Sequence, residues 1–197
     1  MLFKIEPRLT KEYLLSKNSQ EVYLQYYLNI PKERVLGRYN SSELYSIIAG
    51  YKKPENHFKP DPIKPEHLDI VLRGMAMEGQ LAIILKDECK CGENQSKYEL
   101  KIDDMTIVVK PDFEWTNEVW ETKYPKEMVY EIPRKWRYQL ECQYQATHKP
   151  VKLMVFSEPF NLTEIPYTPS EKTWEEIKTK LKSYHKKILS YGKDNGK

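Results

Sequence analysis

Two stretches of the chain repeat apolar residues at three- and four-residue intervals, the spacing of one helical face. From Glu66 to Lys86 the repeat runs through Leu68, Val71, Leu72, Met75, Ala82 and Leu85. From Ser170 to Ser190 it runs through Trp174, Ile177, Leu181, Tyr184 and Ile188, with Gly192 as the expected stop. A third helix is expected from Pro133, whose fixed φ suits a helix start, to Ala146. Upstream, residues 9–29 read as one or two short helices, and Ser41 or Ser42 offers an N-cap to a helix that Gly50 closes. The proline-rich run KKPENHFKPDPIKPEH is a loop, and residues 87–96 are a polar turn. Strands are expected at 97–102, 105–111, 112–115 and 118–124, with a turn at Asp103-Asp104, and the apolar run VKLMVFSEPF reads as a buried strand. This order predicts an α/β fold with a mixed central sheet flanked by helices. It also divides a single domain into a helical N-terminal elaboration at 1–64, a core at 65–160, and a C-terminal helix with a basic tail at 161–197.

Composition narrows the function classes. A chain of 197 residues can bury a core without disulfide staples. Its 32 basic and 29 acidic residues leave a formal charge of only +3, so a polyanionic partner must be met by a local patch. With 7 glycines and neither GxxxxGK[ST] nor GxGxxG, a glycine-rich phosphate loop is excluded as the chemical centre. His57, His67, His148 and His185 lack the paired spacing of a zinc site. Cys89, Cys91 and Cys142 cannot all pair, and no apolar leader follows the N-terminus, so a reducing cytoplasm is expected, the host's if the chain is viral. No run approaches the roughly 18 apolar residues of a membrane span, and no membrane partner is expected.

The stretch KPDFEWTNEVWETKYPK places charged residues where a sheet wants apolar ones. If the turn is centred on Thr116-Asn117, Trp115 opposes Glu118 and Asp112 falls directly opposite Glu121. Lys123 then shares the face of Glu121, because side chains alternate with period two. Opposed carboxylates about 4.5 to 5.5 Å apart at Cβ repel unless a cation or a proton lies between them. A divalent metal answers this economically, and hard oxygen ligands in small number suit Mg²⁺. Glu78 adds a third carboxylate on the flank of the helical stripe, away from the wet face of Asp69, Arg73 and Gln80.

With Pro111-Asp112, then Glu121-Thr122-Lys123, the sequence resembles the PD-(D/E)XK nuclease superfamily, and within it the RecB-like branch of CRISPR-associated exonucleases and related archaeal virus nucleases. The resemblance extends to RGMAMEG, which places Glu78, and to YQLECQYQA, which maps to Gln139, Leu140 and, less cleanly, Tyr144; at the family's usual tyrosine stands Gln143. It covers roughly residues 38–156 and implies a restriction-endonuclease-like core and a Mg²⁺- or Mn²⁺-dependent deoxyribonuclease. Glu78, Asp112, Glu121 and the Thr122 carbonyl would hold the metal. Lys123 would orient the attacking water, and Gln139 would position Lys123 or the substrate backbone. Relatives with an iron-sulfur cluster space four cysteines differently, so no cluster is expected here. For DNA, single-stranded or at its ends, Arg134, Lys135, Trp136, Arg137 and Tyr138 offer cations and stacking faces just before the motif helix, with Tyr144 further along it. A homo-oligomer is compatible with all of this. Two alternatives stay open: a structure-specific endonuclease of Holliday-junction type, and a retired nuclease fold that binds nucleic acid without cutting.

Overall fold

The computed structural model describes residues 34–59, 65–125, 127, 129–157 and 161–194. The helices expected over 9–29, and most of the N-terminal elaboration with them, lie outside these residues.

In chain order the described elements are β1 (Arg38–Asn40), α1 (Leu44–Ile48), α2 (Pro65–Leu85), β2 (Lys90–Cys91), β3 (Tyr98–Ile102), β4 (Met105–Val109), β5 (Phe113–Glu114), β6 (Val119–Lys123), α3 (Arg134–Thr147), β7 (Val151–Ser157), β8 (Asn161–Pro166) and α4 (Glu171–Asp194). The strands form two sheets. One has the order β1-β4-β3, with β1 parallel and β3 antiparallel to β4. The other has the order β2-β5-β6-β7-β8, in which β6 and β7 are parallel and the other neighbours antiparallel. The α/β class, the mixed sheet and the flanking helices are as the sequence predicts, and the whole corresponds to a restriction-endonuclease-like core.

Three apolar clusters explain the layering. Tyr39, Leu44, Ile107, Tyr138, Cys142, Ile177 and Leu181 join the first sheet to α1, α3 and α4. Met77, Leu81 and Leu85 of α2 cover one face of the second sheet through Phe113, Met154 and Phe156. Leu140 of α3 covers its other face through Val119, Val151, Leu153 and Val155. Helix α3 therefore serves both sheets, with Tyr138 and Cys142 one helical turn apart on one side and Leu140 on the other. Each of these fully buried side chains contributes about 1.5–3 kcal/mol by leaving water.

Several local expectations need correction. The first helix is capped by neither Ser41 nor Ser42; a 3₁₀ turn over Ser41–Glu43 precedes it, and the Glu43 carboxylate accepts the Asn40 N–H at 3.0 Å. Gly50 does follow that helix, with φ +79°. Among the described side chains of α2, Ala76, Met77, Gln80, Leu81 and Leu85 are buried, whereas Ile83 and Ile84 are exposed. The half from Met75 to Leu85 is apolar nearly all round, so its repeat does not fix the inward side, and Gln80, expected on the wet face, is buried. Helix α4 continues through Gly192 to Asp194. Strands β1, β2 and β8 escape the sequence reading, the first two because two or three residues carry no readable alternation.

Candidate active site

The chain leaves the first sheet at Val109 and enters the second at Phe113, so Lys110, Pro111 and Asp112 form the bend between two ladders. A strand that changes sheets loses its partners for a step, and proline, with no N–H to offer, tolerates that loss. Gln95 Nε2 donates to the Pro111 carbonyl at 2.8 Å and anchors the bend.

The hairpin register is the one the turn chemistry requires. Phe113 pairs with Trp120 and Glu114 with Val119, and the Trp115 N–H donates to the Glu118 carbonyl at 2.9 Å across Thr116-Asn117. Asp112 therefore falls opposite Glu121. Asp112 Oδ2 accepts both the backbone N–H and the hydroxyl of Thr122, each at 2.7 Å, which fixes the carboxylate against β6. Thr122 thus engages Asp112 through its N–H and Oγ1.

Glu121 is 2% exposed, and both its oxygens are engaged: Lys123 Nζ donates to Oε1, and Gln143 Nε2, from α3, donates to Oε2. Burial pushes the Glu121 carboxyl up to about 7; the Asp112 charge adds to this, while Lys123 and Gln143 oppose it. Burial, then the charges of Asp112 and Glu121, push Glu78 up to about 8, against the pull of Lys123. Burial alone would lower Lys123, but Glu121 and Asp112 outweigh it and hold the ammonium above its ordinary range. One lysine is too little positive charge for three carboxylates. Neutral pH leaves the cluster holding protons that a divalent cation would displace.

Its donors are carboxylate oxygens alone, which suit Mg²⁺ or Mn²⁺ rather than Zn²⁺. Glu78, Asp112 and Glu121 bring three carboxylates to this part of the fold, and among the described residues no three acidic, imidazole or thiol groups are gathered closely enough to hold an ion as they stand.

The remaining candidates are scattered. Gln139 is half-buried on α3, and the glutamine that reaches Glu121 is Gln143, one turn later. Their i, i+4 spacing puts both on one side of the helix, and depth along it decides between them. Arg134, Lys135 and Arg137 are exposed at the start of α3. Arg134 pairs with Glu176 at 2.9 Å, Lys135 lies 4.8 Å over the Trp136 ring, and Arg137 donates to the Ile132 carbonyl at 3.0 Å. Tyr138 is corrected: at 2% exposure it belongs to the core between α3 and the first sheet, and its ring has no face for a base. Trp136 and Tyr144 are half-buried beside the Leu140 cluster. Trp115 and Trp120 pack on each other at 4.2 Å beside the α2 cluster.

The sequence reading also misses Glu114, buried on the same sheet face as Asp112. Its Oε1 accepts from Tyr98 Oη and Lys149 Nζ, both at 2.6 Å, and these partners outweigh burial to hold the carboxyl below its ordinary range. A cleft of about 490 Å³, lined by Lys86, Cys89, Glu114, Trp115 and Lys149 among others, opens at the turn end of the hairpin rather than over the carboxylates. Lys149 stands well apart from any acid along the chain, so the sequence carries no signal of this pair.

Comparison with known proteins bears on the fold. No protein-family model matches the sequence, and no curated protein sequence matches it significantly. The structure is similar to the crystal structure of SSO0001, at 11% identity and a TM-score of 0.60 over 87% of this chain and 86% of that one. It is also similar to an alkaline exonuclease, LHK-Exo, from Laribacter hongkongensis, at 13% identity and a TM-score of 0.51, covering 79% of this chain and 90% of that one. The same exonuclease in complex with dAMP matches at 12% identity and a TM-score of 0.52, with the same coverage. At such identities the likeness defines a shared fold.

Proposed function

We propose that this chain is a divalent-metal-dependent nuclease that hydrolyses DNA phosphodiester bonds, acting on single strands or ends. The observation that carries the reading is the placement of Asp112 opposite Glu121 across the hairpin, with Lys123 on Glu121 and Glu78 in electrostatic contact with all three. The resemblance of the motifs to the PD-(D/E)XK superfamily, in its RecB-like branch, and the fold shared with an alkaline exonuclease support it. Glu78, Asp112 and Glu121 would hold Mg²⁺ or Mn²⁺, with the Thr122 carbonyl as a further ligand. When bound, such an ion supplies Lewis acidity toward a phosphate oxygen and acidifies a water. Lys123, held cationic beside Glu121, orients the attacking water and offsets charge that develops on the phosphate. Asp112 is kept in place by the two donors of Thr122. Arg134, Lys135 and Arg137 supply backbone-tracking charge at the start of α3, where the helix N-terminus also favours phosphate. Trp136 and Tyr144 offer the edges of half-buried rings.

Purified protein with Mn²⁺ is expected to degrade labelled DNA, and Glu121→Ala is expected to abolish this while keeping the far-UV circular dichroism. A folded wild-type protein that leaves single-stranded, duplex and junction DNA intact with either metal would sink the reading. Cleavage confined to four-way junctions would replace it with a junction-specific endonuclease.

A further inference from the structure

Gln143 is fully buried on α3, and the two ends of its amide are unequally satisfied. Nε2 donates to Glu121 Oε2, whereas Oε1 is buried without a hydrogen-bond partner. A buried amide oxygen left unpaired costs stability that an apolar side chain of similar volume would not incur. The fold keeps it beside a carboxylate that already has a cationic partner in Lys123. Charge pairing alone therefore does not call for it.

Geometry gives the amide a task. Glu121 lies one residue beyond the two-residue pairing of β5 with β6, and its backbone is paired with Leu153 of β7, so the ladder places its main chain but does not set the plane of its carboxylate. Lys123, two residues along the same face of β6, donates to Oε1. With Oε2 held by an uncharged donor from a different element, Lys123 is confined to Oε1 and the carboxylate plane is set relative to Asp112. We propose that Gln143 is a positioning residue for the metal site: it fixes the orientation of Glu121 and so sets the affinity of the carboxylate cluster for its divalent cation. This rests on the reading of the cluster as a nuclease metal centre. The role falls to Gln143 in place of Gln139, which the motif resemblance singled out. The unpaired Oε1 is the stability sacrificed to place Nε2.

The test is calorimetric titration of the full chain with Mn²⁺ alone, without nucleic acid, for wild type, Gln143→Met and Gln143→Asn. Met keeps the volume and removes the donor; Asn keeps the amide and draws it back from Glu121. Both are expected to weaken Mn²⁺ binding, Met by roughly ten- to a hundredfold, the range for partners that orient metal ligands. The metal-free melting temperature of Gln143→Met is expected to fall, because the buried Glu121 Oε2 loses its donor, a cost that exceeds the relief from removing the unpaired amide oxygen. Affinities within twofold of wild type in both variants would overturn the inference and leave the nuclease reading standing. A wild-type protein that binds no Mn²⁺ would overturn both. If Gln143→Met melts too low to titrate, weakened binding by Gln143→Asn supports the inference and unchanged binding overturns it.

Discussion

Lys123 is the residue whose role is most tightly constrained. It is 23% exposed beside a nearly inaccessible Glu121, so it can reach both the carboxylate and a phosphate that approaches from solvent. Lys123→Met is expected to lower the cleavage rate by roughly 10²- to 10⁴-fold, the usual worth of a positioned proton-transfer group, with Mn²⁺ affinity held or improved because a competing cation is removed. Single-turnover kinetics alongside a metal titration would check this, and a weaker metal affinity would argue against the assignment. Asp112, Glu121 and Lys123 are legible in the sequence because a two-residue turn and period-two alternation leave one register. Gln143 is not, because the pairing of a helix with a strand depends on helix depth, which no local spacing records. Glu114 and Lys149 escape for the same reason: their 2.6 Å pair joins segments that meet only in the folded chain.

At the scale of elements, α3 is the piece whose sequence reads two ways. PRKWRYQLECQYQA combines cations and aromatics as a nucleic-acid surface would, yet alternate sides of the helix serve two cores. Tyr138→Phe is therefore expected to leave the KM for DNA unchanged. Leu140→Ala is expected to cost about 2–5 kcal/mol of stability, measurable by denaturant unfolding, as a buried leucine facing four sheet residues should. The exposed cations behave differently. Replacing Arg134, Lys135 and Arg137 together with Ala is expected to raise KM and to flatten the salt dependence of binding by about 0.7–0.9 for each phosphate that is no longer neutralised. Unchanged salt dependence would move the substrate elsewhere. Helix α2 shows the converse failure of legibility: its existence is clear from the sequence, but a segment with exposed Ile83 and Ile84 and buried Gln80 does not announce its inward face.

For the whole molecule, two buried sites give pH dependences of opposite sign. His57, fully buried among Tyr39, Tyr184 and Phe58, is pushed down to about 4 by burial, with the charges of Lys52 and Arg34 adding to it. Its folded value lies below the unfolded one near 6.5, so the stability it contributes is present above about pH 6.5 and is lost as pH falls toward 4. Glu78 and Glu121 are raised to about 8 and about 7 from an ordinary value of 4.5, so their contribution is present below pH 4.5 and is lost as pH rises through those values. Metal-free protein is expected to lose melting temperature as pH climbs from about 5 to about 8, and Glu78→Gln should flatten that limb. Mn²⁺ should restore it, and more strongly at higher pH, because binding displaces those protons. The division of labour between sheets is the least legible feature at this scale. Pro111 and Asp112 are expected inside strands at 105–111 and 112–115, whereas in the fold they form the step from one sheet to the other, and that step is what frees Asp112 to face Glu121.

The central claim is that the carboxylates meeting at the hairpin, with Lys123, form a metal-dependent phosphodiesterase centre. It is tested most directly by a time course on end-labelled linear and on circular DNA, single-stranded and duplex, with Mn²⁺ or with chelator, using wild type and Glu121→Ala. The predicted result is metal-dependent cleavage by wild type, none with chelator, and none by a Glu121→Ala variant of native circular dichroism. Cleavage that persists in Glu121→Ala, or a folded wild type that binds Mn²⁺ and DNA yet cuts neither linear nor circular strands, would contradict it.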